Sequence, residues 1–126
     1  MAKNVTTGHH AIIDAYNIPF EKANDLSWLL QLSEEAAIRA GATILGIHYY
    51  QFQPQGCSGI LLISESHIAF HSFPELGFVA FDIYTCGSKK NFDLATGWIY
   101  QKLKETSIGA RVVIQRIKRG AEINKG

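Results

Sequence analysis

Strand-type segments follow one another through the middle of the chain with only short turns between them. Residues 43–52, 59–63 and 78–85 are rich in β-branched and aromatic side chains. Residues of the turn type, including glycine and proline, separate these segments at 53–56 and 74–77. An order of strands joined largely by short turns is typical of an antiparallel sheet, and this feature therefore predicts one.

Two flanking segments carry a helical pattern instead. The first has Asn24 or Asp25 as its cap and ends at Gly41, and its apolar residues recur at helical spacing: Trp28, Leu29, Leu32, Ala36 and Ala37. The second follows a polar loop at 89–91, with Asn91 or Asp93 as its cap, and has one apolar stripe: Phe92, Ala95, Ile99 and Leu103. Each pattern predicts a helix with one buried face.

One strand precedes the first helix, at Gly8–Tyr16, and another follows the second helix, at 111–117. The predicted order is β-α-β-β-β-β-α-β, an α+β two-layer sandwich with both helices on one face of the sheet. We expect a single domain over residues 1–126. Segments 60–63 and 78–81 are apolar on both faces, so the other face of the sheet needs cover. The sheet of a second copy would supply it, which predicts a homodimer.

The charge balance excludes some classes of partner. Twelve basic side chains face eleven acidic ones, so the chain has no field of one sign for nucleic acid or an anionic membrane. No apolar run approaches the roughly 20 residues that span a bilayer, and the first residues do not resemble a secretory signal. We expect a cytoplasmic protein with a small polar ligand, in which Cys57 and Cys86 are both thiols.

Residues 58–75 place several ionisable and nucleophilic side chains between two apolar strand-type runs. At their centre, a hydroxyl group stands beside a carboxylate and an imidazole in the run Ile63-Ser64-Glu65-Ser66-His67. Ser64 and Ser66 can also be read as ordinary polar positions on a half-exposed strand. A serine hydrolase is disfavoured, because the chain has no Gly-x-Ser-x-Gly elbow. From the pattern alone, both interpretations of the serines stay open.

The histidines do not predict a metal site. On a strand, His67 and His71 would lie about 13 Å apart, so one ion could not bridge them together with Cys86. His9, His10 and His48 are isolated by spacing and are interpreted as structural or surface histidines. We therefore expect no metal.

Three motifs follow one another in the middle of the chain: Ser58-Gly59 followed by 63–67, then His71-Ser72-Phe73-Pro74-Glu75-Leu76-Gly77, and then Asp82-Ile83-Tyr84-Thr85-Cys86-Gly87. Together they resemble the prokaryotic S-adenosylmethionine decarboxylases, pyruvoyl-dependent enzymes of spermidine synthesis. The resemblance is densest over 52–87 and extends to Gly8-x-His10, to 41–43 and to Arg119-Gly120. It implies a decarboxylase that makes its own cofactor.

The resemblance implies that the chain cleaves itself between Glu65 and Ser66, giving a β chain of residues 1–65 and an α chain of 66–126. Ser66 would attack the carbonyl carbon of Glu65, His71 would take part in removing the proton, and Ser58 would assist. The ester formed by this attack eliminates more easily than an amide and leaves a pyruvoyl group at residue 66. The substrate amine would form a Schiff base with it, without pyridoxal phosphate.

The same resemblance assigns the roles in turnover. Cys86 would protonate the substrate carbon after carbon dioxide leaves, a role that suits a thiol near solvent. Phe52 and Phe73 would stack on the adenine, and Glu75 would bind the ribose hydroxyls. Cys57 is interpreted as a packing residue. The active form would be a homodimer of processed protomers, α2β2.

Three departures from the family pattern bear on the substrate: Gly8-His9-His10, Tyr49-Tyr50-Gln51-Phe52 and Gly56-Cys57-Ser58. They keep open a related decarboxylase of arginine or ornithine, in which Glu75 would hold a guanidinium or ammonium group. A non-catalytic regulatory subunit is a further alternative, but the joint presence of Ser66, His71 and Cys86 disfavours it.

The spacing of Ser66 and His71 sets a geometric expectation. Residues five apart on a regular strand point to opposite faces. If both act on one bond, the backbone must turn or bulge near Ser66.

Overall fold

Six strands and three helices make up the protein in the computed structural model, which describes residues 7–64 and 66–121. The strands are β1 (Gly8–Tyr16), β2 (Ile44–Gln51), β3 (Cys57–Ile63), β4 (Ser66–Phe73), β5 (Phe78–Thr85) and β6 (Arg111–Arg119). The helices are α1 (Phe20–Ala23), α2 (Leu26–Arg39) and α3 (Lys89–Lys104), and a single 3-10 turn spans Pro74–Leu76.

All six strands form one antiparallel sheet in the order β2-β3-β4-β5-β1-β6. Strands β2 to β5 are consecutive hairpins, as the short turns predict. Strand β1 lies between β5 and β6, so the first and last strands of the chain are neighbours at one edge of the sheet. The architecture is α+β, as predicted, with the six strands in the predicted chain order.

One face of the sheet is covered by α2 and α3, and the core lies between the two layers. Helix α2 begins where Asp25 accepts a hydrogen bond from the backbone N–H of Trp28 at 3.0 Å, one of the two predicted caps. It ends before Gly41, whose φ of +68° is a left-handed conformation that glycine adopts without steric cost. Four of the five predicted apolar positions are buried: Leu29, Leu32, Ala36 and Ala37.

The start of α3 differs from the prediction. The hydroxyl of Ser88 accepts a hydrogen bond from the N–H of Asn91 at 3.1 Å, so the helix already includes residues 89–91, which the sequence pattern assigned to a loop. Asn91 and Asp93 are therefore not caps. The predicted apolar stripe is correct, and all of it is buried: Phe92, Ala95, Ile99 and Leu103. The short helix α1 was not predicted, since four residues carry too little periodicity.

The second face of the sheet, called here the open face, has no helix over it among the described residues. Apolar side chains on this face are substantially exposed, from 37% at Ile12 to 54% at Leu62, with Ile60, Val113 and Ile117 between these values. Exposed apolar area of this extent on one face is typical of an interaction surface. In the part of the chain described, no helix is long and apolar enough to cross a membrane.

Candidate active site

Ser66 is the first residue of β4, immediately after the turn that joins β3 to β4. It pairs with Ile63, the last residue of β3. The Ser66 hydroxyl accepts a hydrogen bond from the N–H of Cys86 at 3.1 Å and donates one to the carbonyl oxygen of Ser64 at 3.2 Å. Glu65, predicted to supply the cleaved bond, lies outside the described residues.

Cys86 follows the last residue of β5 and is partly exposed. Its Sγ atom lies 3.8 Å from the hydroxyl oxygen of Tyr84, within hydrogen-bond range for sulfur. This hydrogen bond, more than partial burial, raises the pKa of Tyr84 above its ordinary value. The Tyr84 hydroxyl therefore stays protonated at neutral pH.

A polar cavity of about 110 Å³ lies beside Ser66 and Cys86 on the helix side of the sheet. It is bounded by Ser64, Thr85 and the first turn of α3. The hydroxyl of Thr85 is buried and has no hydrogen-bond partner among the described residues. A cavity of this size and polarity has room for water, which would satisfy that hydroxyl.

Ser58 and His71 form a second pair, on the open face. They lie directly opposite each other on β3 and β4, and Ser58 Oγ is 2.7 Å from His71 Nδ1. A hollow of about 450 Å³ surrounds them, with Tyr50 and Ile60 among its walls. The neutral imidazole can accept the serine proton, so this pair can relay a proton to a third group.

Ser66 and His71 are five residues apart on β4, and their side chains lie on opposite faces of the sheet. Ser66 is 8% exposed and shares its face with buried Ile68 and Phe70, whereas His71 is exposed on the other face. Five strand residues span about 16 Å. The backbone does turn just before Ser66, but β4 is regular from Ser66 to His71, so the predicted bulge that would bring the two together within one chain is absent from this strand.

The three predicted substrate-binding residues lie at the Ser58–His71 end. Phe52 and Phe73 are 46% and 42% exposed, and each packs against a neighbouring ring, at 4.8 Å for Tyr50–Phe52 and 5.8 Å for Phe73–Phe78. Glu75 is exposed and accepts a hydrogen bond from Gln55 at 3.4 Å. One end of β4 thus carries exposed rings and a carboxylate, and the other carries the thiol.

A network on the open face was missed by the sequence analysis. Asp82 Oδ1 accepts hydrogen bonds from Nε2 of His67, at 2.5 Å, and from Nε2 of His10, at 3.1 Å. Arg119 donates to Nδ1 of His10 at 2.9 Å, and its guanidinium lies 5.1 Å from the ring of Tyr84. His10 is isolated in the sequence but hydrogen-bonded on both ring nitrogens in the fold, which agrees with its interpretation as a structural or surface histidine. Gly8-x-His10 and Arg119 both belong to the family resemblance, but their spacing does not indicate this contact.

The donor atoms of His10, His67 and Asp82 lie within 4.8 Å of one another, close enough to surround a metal ion. The protons argue for hydrogen bonding instead. Arginine can only donate, so His10 Nδ1 accepts and its proton is on Nε2, directed at Asp82. A protonated Nε2 has no lone pair for an ion. As arranged, these residues form a hydrogen-bonded chain from Arg119 to His67.

Cys57 is 1% exposed, as expected for a packing residue. Burial raises the pKa of its thiol, more than its hydrogen bonds to Ser72 and Gln51 lower it. Cys57 and Cys86 are not joined in a disulfide. Of the two cysteines, Cys86 is the one with access to a ligand.

A hydroxyl, a thiol and an imidazole, each hydrogen-bonded on a rigid sheet, are the groups of an enzyme that performs nucleophilic and acid–base chemistry. Residues 9–120 match the family model for S-adenosylmethionine decarboxylase. The chain belongs to this family of decarboxylases.

Individual relatives support the assignment. The chain is 41% identical over 102 residues to S-adenosylmethionine decarboxylase proenzyme 2 of Halalkalibacterium halodurans, covering 81% of this chain and 80% of the relative. It is 43% identical over 117 residues to the proenzyme of Symbiobacterium thermophilum, covering 92% and 85%. The crystal structure of the adenosylmethionine decarboxylase from Aquifex aeolicus superposes with a TM-score of 0.82 at 32% identity, covering 98% of both chains.

Proposed function

We propose that this chain is a self-processing, pyruvoyl-dependent decarboxylase that converts S-adenosylmethionine into its decarboxylated form for spermidine synthesis. The observation that carries the proposal is the position of Ser66. Its hydroxyl contacts the carbonyl of Ser64 and the N–H of Cys86. The residue that would become the cofactor thus lies in direct contact with the residue proposed as proton donor.

The residues at this end fit a pyruvoyl group formed from Ser66. When formed, the group supplies a ketone that withdraws electrons from the substrate as carbon dioxide leaves. In our proposal Cys86 donates a proton to the substrate carbon, and Tyr84 holds the thiol in place. No metal and no pyridoxal phosphate take part. A proton donor of this kind must stay a thiol, which fits a reducing compartment such as the cytoplasm.

Self-cleavage would use the second pair. Ser66 attacks the carbonyl carbon of Glu65, and Ser58 and His71 assist with the transfer of protons. The cleaved protein would consist of a β chain, 1–65, and an α chain, 66–126, that remain in one folded domain, because β3 and β4 pair from Ser58–His71 to Ile63–Ser66 across the cleaved bond.

A homodimer would bring the two pairs together. Within one chain Ser66 and His71 are separated by about 16 Å along β4. Ser58 and His71 lie on the open face, and so does Tyr84, whose hydroxyl contacts the sulfur of Cys86. Two copies that pack through the open face in antiparallel orientation would place His71 and Ser58 of one copy near the start of β4 and the Cys86 thiol of the other, where the main chain at Ser66 can be reached from that face. Because a two-fold axis repeats every contact, the dimer would hold two such sites.

The substrate would also bind across this interface. Phe52 and Phe73 offer exposed rings for the adenine, and Glu75 offers a carboxylate for the ribose hydroxyls. These residues lie beside Ser58 and His71. In the proposed dimer, Phe52, Phe73 and Glu75 of one copy would therefore bind the substrate that is attached at residue 66 of the second copy.

The test combines intact-mass analysis with parallel carbon dioxide release from S-adenosylmethionine, arginine and ornithine. We expect two chains, divided between residues 65 and 66, and release from S-adenosylmethionine alone. Release from arginine or ornithine would replace the proposed substrate by a basic amino acid. A single uncleaved chain after prolonged incubation would exclude the enzyme and favour a regulatory subunit.

A further inference from the structure

His67 is the residue that follows the proposed cofactor position, and it is held in one orientation. A carboxylate oxygen only accepts, so the hydrogen bond to Asp82 fixes a proton on Nε2 of His67. In the neutral imidazole the lone pair then lies on Nδ1. No described residue hydrogen-bonds to Nδ1, the ring nitrogen bonded to Cγ and therefore closer along the side chain to the main chain of His67 than Nε2 is.

Asp82 is itself held from the other side. It also accepts a hydrogen bond from His10 at 3.1 Å, and His10 accepts one from Arg119 at 2.9 Å. The ring of Tyr84 packs on both imidazoles, with centroid distances of 5.4 Å to His10 and 5.9 Å to His67. The carboxylate therefore has little freedom to release His67.

An amino-acid substrate needs a base at this place. Its α-amino group arrives at neutral pH as an ammonium ion, which has no lone pair and cannot attack a carbonyl carbon. The contacts described for Ser66 and Cys86 supply a hydroxyl, a thiol and main-chain groups, and none of these is an imidazole or a carboxylate, the usual side-chain acceptors of protons. A neutral imidazole does accept them well.

We propose that His67, held by Asp82, accepts the proton of the substrate α-ammonium group during turnover. In this step the N–H bond of the substrate breaks and a new N–H bond forms at Nδ1 of His67. The positive charge moves from the substrate to the imidazole, where Asp82 compensates it. The freed lone pair of the amine is then available to the carbonyl carbon at residue 66. This inference rests on the proposed function, because it requires the carbonyl to be formed.

The experiment uses two nucleophiles and the cleaved, full-length enzyme. Phenylhydrazine is neutral at pH 7 and needs no base, whereas S-adenosylmethionine carries the ammonium group. Adducts of the first are measured by absorbance and mass, and covalent trapping of the second by cyanoborohydride is measured by mass. In His67→Asn we expect trapping of S-adenosylmethionine to slow by about 100-fold, while the phenylhydrazine reaction stays within about twofold.

Asp82→Asn should slow trapping of S-adenosylmethionine by about tenfold, because the imidazole of His67 is still present as a base but is no longer held in a fixed orientation. The deficit of His67→Asn should shrink as the pH rises toward 9, since the substrate then loses its proton to solvent. The charged and titratable groups around His67 remain in place in that variant: Asp82, His10, Tyr84 and Arg119.

His9→Asn is the matched control. His9 stacks on Phe92 at 5.3 Å on the helix side of the sheet, so its replacement should leave both reactions unchanged.

The outcomes separate this inference from the proposed function. If the unaltered enzyme forms no phenylhydrazine adduct, the proposed function itself fails. If the unaltered enzyme reacts and His67→Asn traps S-adenosylmethionine at the same rate, only the assignment of His67 is overturned. Equal loss of both reactions, or an uncleaved chain, would also overturn it by assigning His67 to the formation of the carbonyl. His67→Gln is measured in parallel, so that a folding defect of one variant does not decide the result.

Discussion

The two ends of β4 hold different kinds of functional group. At its start, Ser66 makes its contacts with main-chain atoms, accepting from the N–H of Cys86 and donating to the carbonyl of Ser64. Toward its end, His71 contacts another side chain, the hydroxyl of Ser58. The Ser66 side chain can be converted into another group while the main-chain atoms around it stay in place. His71, in contrast, works through its hydrogen bond to the side chain of Ser58. We infer that one end becomes the cofactor and the other makes it.

The largest expected effect comes from separating the two ends into different chains. His71→Ala alone should leave the chain uncleaved, and Ser66→Ala alone should do the same. Co-expressed, the two variants should form mixed dimers in which the intact His71 of one chain lies near the intact Ser66 of the other. We therefore expect the His71→Ala chain, and only that chain, to be cleaved, as measured by intact mass.

The matched control is co-expression of His71→Ala with the double variant Ser66→Ala, His71→Ala, which supplies no imidazole and should give no cleavage. If His71→Ala is cleaved in this control as well, His71 is not required for the reaction. If neither mixture gives cleavage, the two ends do not meet across a dimer, and the proposed assembly is wrong.

Cys86→Ala sharpens the distinction between making the cofactor and using it. The main-chain N–H that contacts Ser66 is retained, so cleavage should proceed within about twofold of the normal rate. The proton donor is lost, so kcat for carbon dioxide release should fall by at least about 100-fold. Cleavage is followed by mass and turnover by carbon dioxide release. A loss of cleavage as large as the loss of turnover would contradict the separation.

Phe73→Ala tests the substrate-binding role of the far end. Removal of the exposed ring should raise KM for S-adenosylmethionine about tenfold, since aromatic contacts contribute roughly 0.5–1.5 kcal/mol beyond area burial. Cleavage should be unaffected. Phe73→Trp should keep KM close to the value of the unaltered enzyme, because tryptophan also offers a flat aromatic ring on which the adenine can stack. An unchanged KM in Phe73→Ala would place the adenine elsewhere.

Much of the fold follows from local patterns that act over a few residues. The strand positions, the cap at Asp25 and the glycine after α2 are set by side-chain chemistry within one turn or one hairpin, and all three agree with the structure. The start of α3 differs from the prediction because Ser88, Asn91 and Asp93 all have side chains that can cap a helix. Which of them does so depends on the geometry of the chain after Thr85, where Ser88 is the one in place.

The site was harder to predict for a different reason. Residue types and motif spacing identified Ser66, His71 and Cys86, but they did not reveal that Ser66 and His71 point away from each other in one chain. That fact depends on where the hairpin turns, because a shift by one residue reverses every face of a strand. The Asp82 network was missed because it joins β1, β4, β5 and β6, and the contacts between distant strands have no local sequence signal.

The smallest expected effect compares two buried hydroxyls, one at each end. Ser72 accepts a hydrogen bond from the N–H of Cys57 at 2.9 Å, so Ser72→Ala leaves a buried donor unsatisfied and should lower the free energy of unfolding by about 1–2 kcal/mol. The hydroxyl of Thr85 has no such partner among the described residues and borders a cavity with room for water. Thr85→Val should therefore change the free energy of unfolding by about 0.5 kcal/mol or less.

The two variants are compared by denaturant titration in the uncleaved Ser66→Ala background. One protein concentration is used throughout, since the stability of a dimer depends on concentration. A Thr85→Val loss equal to that of Ser72→Ala would show that the Cys86 end is held by side-chain contacts as tightly as the His71 end, and the contrast between the two ends would then lie only in their chemistry.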